Sequence, residues 1–340
     1  MRVLVTGASG FVGANLIGVL KDEGNKVVAT SRSRVEQPGI FYVESPELGP
    51  GADWSEALVG IYAVVHLAGR AHVTAEQADA KTDQAYFRIN AEATGALAKQ
   101  CAAAGVKHFI FLSSCHAIAG ESDHVLTDHT APRPVTVYGR SKLAAEEATK
   151  SALADSDCAW TILRPPLVYG PGNKANFGLL VKLVKSGIPL PLAAVRNRRS
   201  FICVENLVDL ITTCLENPKA FGKTFLPSDG EDVSTPELIR AIARADASVE
   251  HGASIDEDGR GKIGDGSATR NPSPATRRSP CLFPFPESIL KAAGRLPGLG
   301  ALRKLTSSLY VDSEPIRREL GWTPPFTMEE GLRRTMAKRH

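Results

Sequence analysis

Three side chains carry the chemistry this sequence could perform: Ser114, Tyr138 and Lys142. Tyr138 and Lys142 lie four residues apart in Val137-Tyr138-Gly139-Arg140-Ser141-Lys142-Leu143-Ala144-Ala145-Glu146, the start of a long helical pattern. That spacing puts both on one helix face, one turn apart. A free tyrosine titrates near ~10, too high to exchange protons well at neutral pH. An ammonium beside it favours the phenolate and pulls that value down. Tyr138 could then take the proton of a substrate hydroxyl, or give one back. Ser114, at the end of an apolar run, could hydrogen-bond the same oxygen as it becomes a carbonyl. Cys115 and His116 stand beside it. With no Ser-His-Asp or Cys-His arrangement around them, they read as pocket-lining or core residues.

A tyrosine and a lysine at this spacing mean little alone; their weight comes from the first stretch of the chain. Arg2-Val3-Leu4-Val5-Thr6-Gly7-Ala8-Ser9-Gly10-Phe11-Val12-Gly13-Ala14-Asn15-Leu16-Ile17 is an apolar run, three glycines, then apolar residues at helical spacing. It predicts a strand, a tight turn and a helix. Gly7 allows the sharp turn, Gly10 a close approach of backbone to a pyrophosphate, and Gly13 tight packing of helix on strand. Phosphates would then meet the free N–H groups of Ser9, Gly10, Phe11, Val12 and Gly13 at the helix start. A dinucleotide is the expected ligand, and the charge of an oxidised nicotinamide would add to that of Lys142 beside Tyr138. Hydride would then leave the substrate for the cofactor as the hydroxyl proton leaves for Tyr138. The second strand, Lys26-Val27-Val28-Ala29-Thr30, ends in Ser31-Arg32-Ser33-Arg34 with no carboxylate for a ribose 2′-hydroxyl. Arg32 there leans towards NADP(H) within NAD(P), unless Arg32 and Arg34 are simply solvated loop charges.

The elements that must position these groups alternate strand and helix to about residue 170. They predict an α/β protein with a Rossmann-type doubly wound parallel sheet. Residues 35–60 read as loop, short strand and a helix opened by Asp53-Trp54. Tyr62 to Gly69 is a buried strand whose small end, Leu67-Ala68-Gly69, suits a backbone passing close to a ligand. Residues 83–104 carry a helical pattern stopped by Gly105. His108-Phe109-Ile110-Phe111-Leu112 then delivers Ser113-Ser114 to the edge of the sheet where ligands gather.

Basic and acidic residues number 40 and 37, so no broad field points to nucleic acid or to a membrane surface. The six cysteines show no C-x-x-C and no metal-ligand spacing, and read as reduced thiols of a cytoplasmic protein. No apolar run reaches membrane-spanning length, and neither a leader before the first strand nor a metal site is expected.

Taken together, T-G-A-S-G-F-V-G, the Asn90 helix, Ser113-Ser114, Tyr138-Gly-Arg-Ser-Lys142 and Leu163-Arg164-Pro165-Pro166-Leu167-Val168-Tyr169-Gly170-Pro171-Gly172 resemble the extended short-chain dehydrogenase/reductases. Within them the chain is similar to the nucleotide-sugar epimerase/dehydratase branch, over about 1–245 and 282–335. The resemblance implies that Ser114, Tyr138 and Lys142 form a catalytic triad, that Pro165 and Pro166 lie near the nicotinamide, and that Asn90 supports the site. It also implies that Asn176 and Arg199 hold the diphosphate of a nucleotide-sugar substrate. An arginine fork suits that role, though a basic surface loop explains Arg196 and Arg198 equally well. The family often forms a homodimer through two helices, but no decisive apolar stripe marks such a pair here, and the oligomeric state stays open. The implied organisation is an NAD(P)-binding domain over 1–170, rejoined by 200–228, and a substrate lobe from 171–199 and 229–340.

Within that lobe, residues 246–280 hold few bulky apolar side chains among Gly, Ser, Asp, Arg and Pro. Too little surface can be buried there to offset ordering, so a mobile insertion is expected. The implied activity is hydride transfer at the sugar C4 position, by a 4-epimerase or a 4-ketoreductase. A 4,6-dehydratase fits less well, because Cys115-His116 stand where family dehydratases carry an Asp-Glu pair. A ketone reductase of the same superfamily and a non-catalytic dinucleotide-binding protein are the remaining readings.

Overall fold

The computed structural model describes residues 1–32, 37–71, 80–173, 176–250, 281–296 and 299–337. Arg34 and residues 251–280 of the expected insertion therefore lie outside the described residues.

The chain begins with β1 (Arg2–Thr6), α1 (Phe11–Asp22), β2 (Lys26–Ser31), β3 (Ile40–Glu44) and β4 (Ala63–His66). β5 (His108–Leu112), α4 (Val137–Leu153) and β6 (Ala159–Leu163) follow the helical stretch that contains α2 (Ala80–Tyr86) and α3 (Ala93–Ala103). β9 (Lys223–Phe225) closes a seven-stranded sheet of order β3-β2-β1-β4-β5-β6-β9. Every pairing in it is parallel. The order of strands reverses at β1, with β2 and β3 added on one side and β4 on the other, which opens the crevice where such sheets take ligands.

Both faces of the sheet are covered, and the alternation of side chains along each strand shows how. Val3 and Val5 of β1 join Leu16, Ile17 and Leu20 of α1 and Leu207, Leu210 and Ile211 of α6 (Val204–Glu216) in one core. Leu4, one residue out of phase, joins Phe109, Leu97, Cys101, Ala145 and Leu153 on the other face. Strands buried on both sides read as unbroken apolar runs, as these do.

A smaller lobe is built on a three-stranded sheet of order β10-β8-β7, from β7 (Leu167–Tyr169), β8 (Arg199–Cys203) and β10 (Asp232–Val233). Residues 199–203 thus belong to this sheet, while α6 and β9 complete the larger one. α5 (Asn176–Lys185), α7 (Thr235–Glu250) and α11 (Met328–Ala337) pack through Phe177, Val184, Ile239, Ile242, Leu332 and Met336. α8 (Glu287–Ala293), α9 (Gly300–Thr306) and α10 (Glu314–Leu320) complete the fold.

Three local expectations are corrected. Residues 55–60 form turns rather than a helix. The Trp54 N–H is taken by the distant Gln100 side chain at 2.8 Å, and Asp53 caps only Ser55. Across 83–104 the helix is not uniform, because Phe87–Glu92 forms a π-helical segment between α2 and α3. Finally α7 runs to Glu250, so 246–250 finish a helix rather than begin an excursion.

Candidate active site

The glycine turn is built as the residue types require. Gly7 takes φ +70°, and a Cβ there would lie 2.8 Å from the Ala68 backbone nitrogen. At Gly13 a Cβ would strike the Gly7 carbonyl and come within 2.8 Å of the Ala8 Cα. α1 starts at Gly10 with no side-chain cap and no acidic residue in its first turn. Its first-turn N–H groups and positive dipole end therefore suit the phosphates of a dinucleotide, whereas the Gly10 N–H, expected to be free, is taken by the Gly7 carbonyl at 2.9 Å. Arg32 is exposed just past β2.

Leu67, Ala68 and Gly69 follow β4 beside that turn. The Ala68 N–H donates to Thr6 Oγ1 at 3.2 Å, and Thr6 Oγ1 lies 2.7 Å from His66 Nδ1. On the other side His66 Nε2 lies 3.0 Å from Thr94 Oγ1, whose single proton goes to the Asn90 carbonyl at 2.6 Å. His66 Nε2 must therefore donate, and Nδ1 must accept from Thr6. Burial holds this imidazole neutral, at about 3, with the Lys142 charge adding to the effect.

Asn90 ends that chain of bonds and sits in the π-helical segment. Its Oδ1 accepts from the Arg70 N–H at 2.7 Å. Its Nδ2 donates to the Arg70 carbonyl at 3.0 Å and to Ser141 Oγ at 2.9 Å. The loop after β4 is thereby tied to the helix that bears Tyr138 and Lys142. A π-turn inserts one extra residue and re-aims the side chains around it, a device common at functional sites.

α4 starts where Thr136 Oγ1 accepts the Gly139 N–H at 3.0 Å, so the cap sets Tyr138 in the first turn. Gly139 has no side chain and presses on the His116 carbonyl. Ser114 caps the short turn Cys115–Ala117 by accepting the His116 N–H at 3.2 Å, and its hydroxyl lies close enough to Tyr138 to favour the phenolate. The Tyr138 ring is flanked edge-on by Tyr86 and His116, with centroids 6.4 and 6.2 Å away. Burial pushes Tyr138 up to about 12, with the Ser114 hydroxyl opposing. Lys142 is buried and pulled down to about 8, with Glu146 opposing. Its Nζ donates to the Leu112 carbonyl at 2.7 Å and lies 4.4 Å from the Phe111 ring centroid.

Pro165 follows β6 beside the same edge, and its carbonyl accepts the Cys115 N–H at 3.0 Å. Cys115 is buried and pushed up to about 12, which makes it a poor nucleophile. Arg199 begins β8, and its Nη1 donates to the Lys304 carbonyl at 2.7 Å and the Ser307 carbonyl at 3.3 Å. Asn176 begins α5, but its side chain lies outside the described residues. The structure thus brings Ser114, Tyr138 and Lys142 to one edge beside the glycine turn, with Asn90 fastening the parts.

Residues that the sequence did not single out also shape the site. His66 and Thr94 fix the loop, and Arg70 lies over the Tyr86 ring at 5.4 Å. A polar residue closing the apolar run Ala63-Val64-Val65-His66 was the available signal. Among the described residues no group of His, Cys, Asp and Glu could hold a metal ion, and no helix is long and apolar enough to cross a membrane.

The chain is similar to known proteins over almost its whole length. Residues 3–226 match the model of the NAD dependent epimerase/dehydratase family. The chain is 36% identical over 341 residues to a UDP-glucose 4-epimerase of Vibrio cholerae, covering 98% of this chain and 94% of that one. It is 26% identical over 342 residues to the N-acetyl-alpha-D-glucosaminyl-diphospho-ditrans,octacis-undecaprenol 4-epimerase of Escherichia coli O157:H7, with 98% and 94% covered. Among solved structures, MoeE5 in complex with UDP-glucuronic acid and NAD superposes with a TM-score of 0.72 at 24% identity, over 99% of this chain and 98% of that one.

Proposed function

The chain belongs to the NAD-dependent epimerase/dehydratase family, and from that membership we propose that it is a nucleoside-diphosphate-sugar 4-epimerase. The observation that carries the proposal is Tyr138, beside Ser114 and one helical turn from a buried Lys142, next to the uncapped glycine turn. A bound nicotinamide dinucleotide would supply the acceptor and later the donor of hydride, with positive charge near Tyr138. As the phenolate, which its burial disfavours at neutral pH, Tyr138 takes the proton of the C4 hydroxyl and becomes the phenol. The Lys142 ammonium stabilises the phenolate before it takes that proton, and Ser114 donates to the C4 oxygen as it becomes a carbonyl. Turnover of the keto-sugar in the pocket, followed by the reverse steps on its other face, inverts C4 without net use of cofactor.

The substrate class rests on the Vibrio cholerae relative, whose name gives UDP-glucose. Arg199 is proposed to meet the diphosphate, together with Asn176. MoeE5 supports NAD as cofactor, whereas Arg32, exposed where a carboxylate would bind the ribose, supports NADP(H). Titration of both dinucleotides against the same protein decides between them. Five buried free cysteines and one exposed fit a reducing cytoplasm.

Proton NMR of the protein with catalytic NAD⁺ or NADP⁺, UDP-glucose and UDP-N-acetylglucosamine tests the reaction, with Tyr138→Phe as control. A new galacto-type anomeric signal without net cofactor reduction is expected, and is absent from the variant, which still binds dinucleotide. Consumption of reduced cofactor with a keto-sugar nucleotide, and silence here, would make it a 4-ketoreductase instead. Turnover that survives Tyr138→Phe overturns the role of Tyr138.

A further inference from the structure

Directly beneath this group of side chains lies a second polar cluster that the chemistry above leaves without a task. Glu146 stands one turn after Lys142 on α4 and is 1% exposed. Arg164 follows the last residue of β6 and is 6% exposed. Arg164 Nε donates to the two Glu146 oxygens at 2.9 and 3.2 Å, and Arg164 Nη2 donates to Oε2 at 2.5 Å. Ser113 Oγ donates to Glu146 Oε1 at 2.5 Å. The Ser113 and Arg164 N–H groups donate to the Leu163 and Phe225 carbonyls, at 2.7 and 2.8 Å. One carboxylate therefore gathers α4 and the ends of β5 and β6. Each group it gathers adjoins a working position: Ser113 precedes Ser114, Arg164 precedes Pro165, and Lys142 lies four residues before Glu146.

A buried ion pair costs so much desolvation that apolar residues of the same volume serve stability as well or better. Stability alone is therefore a weak reason for this cluster. What it gives instead is register between three elements, and a negative charge one turn below a buried ammonium. The charged and titratable groups around Lys142 are few. His66 on β4 is held neutral, Tyr138 shares α4, Tyr86 precedes the π-helical segment, and Arg164 is neutralised in its pair. Glu146 is the carboxylate that opposes the effect of burial on Lys142.

We propose that Glu146, clamped by Arg164 and Ser113, is a positioning residue that registers Ser114 against Lys142 and keeps the Lys142 ammonium charged. This deepens the hydride-transfer reading and rests on it for its kinetic consequences.

The pair variant Glu146→Met/Arg164→Met removes both charges at similar volume, and Glu146→Gln removes only the carboxylate charge. Both are expected to bind dinucleotide within about threefold of wild type, with kcat reduced at least about tenfold and KM little changed. The alkaline limb of the kcat profile should move down by about one pH unit, because the lysine loses the charge that opposes its burial. A folded pair variant with wild-type kcat and pH profile overturns the proposal. Should that variant not fold, Glu146→Gln with an unshifted profile overturns it as well.

A second readout needs no turnover. In ¹³C-lysine NMR, Lys142 should titrate at lower pH in Glu146→Gln than in wild type. An unshifted titration overturns the proposal even if wild-type protein epimerises nucleotide sugars. A shifted titration in a protein that turns over no sugar supports the electrostatic role and sinks the 4-epimerase reading instead.

Discussion

Lys142 Nζ donates to the Leu112 carbonyl at 2.7 Å, so the lysine is anchored to the end of β5, two residues before Ser114. The bond sets the distance between the helix that carries Tyr138 and the strand that delivers Ser114. It also keeps an ammonium in a buried place that resists it.

That resistance has a measurable sign. Lys142 falls from its ordinary 10.5 to about 8 in the folded protein, through burial first and despite Glu146. The unfolded chain binds the proton more tightly, so the penalty is fully present below pH 8 and fades as pH rises towards 10.5. Its size at pH 7 is ~3 kcal/mol, against ~1 kcal/mol for the bond to Leu112. Lys142→Met should therefore melt above wild type at pH 7 while losing turnover, and the gap in melting temperature should close between pH 8 and 10.5. A variant less stable than wild type at pH 7, with a gap indifferent to pH, would show that the charge is not strained by burial.

Gly13→Ala and Gly10→Ala should part company. A Cβ at Gly13 strikes backbone of the same turn, the Gly7 carbonyl and Ala8, where nothing can swing aside. The expected loss is ~1–3 kcal/mol of stability, with dinucleotide affinity lost too. At Gly10 a Cβ meets only the Gly7 carbonyl, at 3.1 Å. That variant should fold with nearly the wild-type melting temperature and bind dinucleotide weakly. Equal melting temperatures for the two would refute the packing role of Gly13.

Asn90 makes three hydrogen bonds between the loop after β4 and α4. Asn90→Ala leaves the half-buried Arg70 N–H and carbonyl without those partners, at a cost of about 1 kcal/mol for each bond lost. Amide exchange at Arg70 should quicken by at least about tenfold, and kcat should fall even under conditions where the variant is fully folded. Unchanged exchange at Arg70 would mean that the loop is held by something else.

Much of this arrangement is readable from local order. Gly7, Gly10 and Gly13 between an apolar run and a helical pattern announce the turn, and Tyr138 and Lys142 at helical spacing announce a shared face. The alternation of strands and helices gives the parallel sheet. What stays hidden depends on distant partners or on register. The π-helical segment at Phe87–Glu92 continues the same apolar pattern as the helices around it, so one extra residue in a turn leaves no compositional trace. Asp53-Trp54 looks like a helix start, yet Gln100, 46 residues away, takes the N–H of Trp54. Glu146 and Arg164, 18 residues apart, look like two ordinary charges until the fold buries them together.

Arg199 allows the sharpest test of the substrate. Its Nη1 already braces the Lys304 and Ser307 carbonyls, at the end of α9 and just beyond it, so a purely structural role is fully available to it. Burial lowers its pKa from the ordinary 12.5, with Cys115 opposing, and the guanidinium still carries its charge at neutral pH. A brace and a diphosphate ligand differ in what they move. If Arg199 meets a diphosphate in both ground and transition states, Arg199→Ala raises KM for the nucleotide sugar at least about tenfold and leaves kcat within about threefold. Arg199→Lys then recovers only part of the loss, because an ammonium cannot match the two-pronged fork. If Arg199 is only a brace, the alanine variant melts earlier with KM unchanged, and the lysine variant restores the melting temperature. An unchanged KM would remove the nucleotide diphosphate from the proposed substrate and favour a ketone reductase that works with the same Ser114, Tyr138 and Lys142.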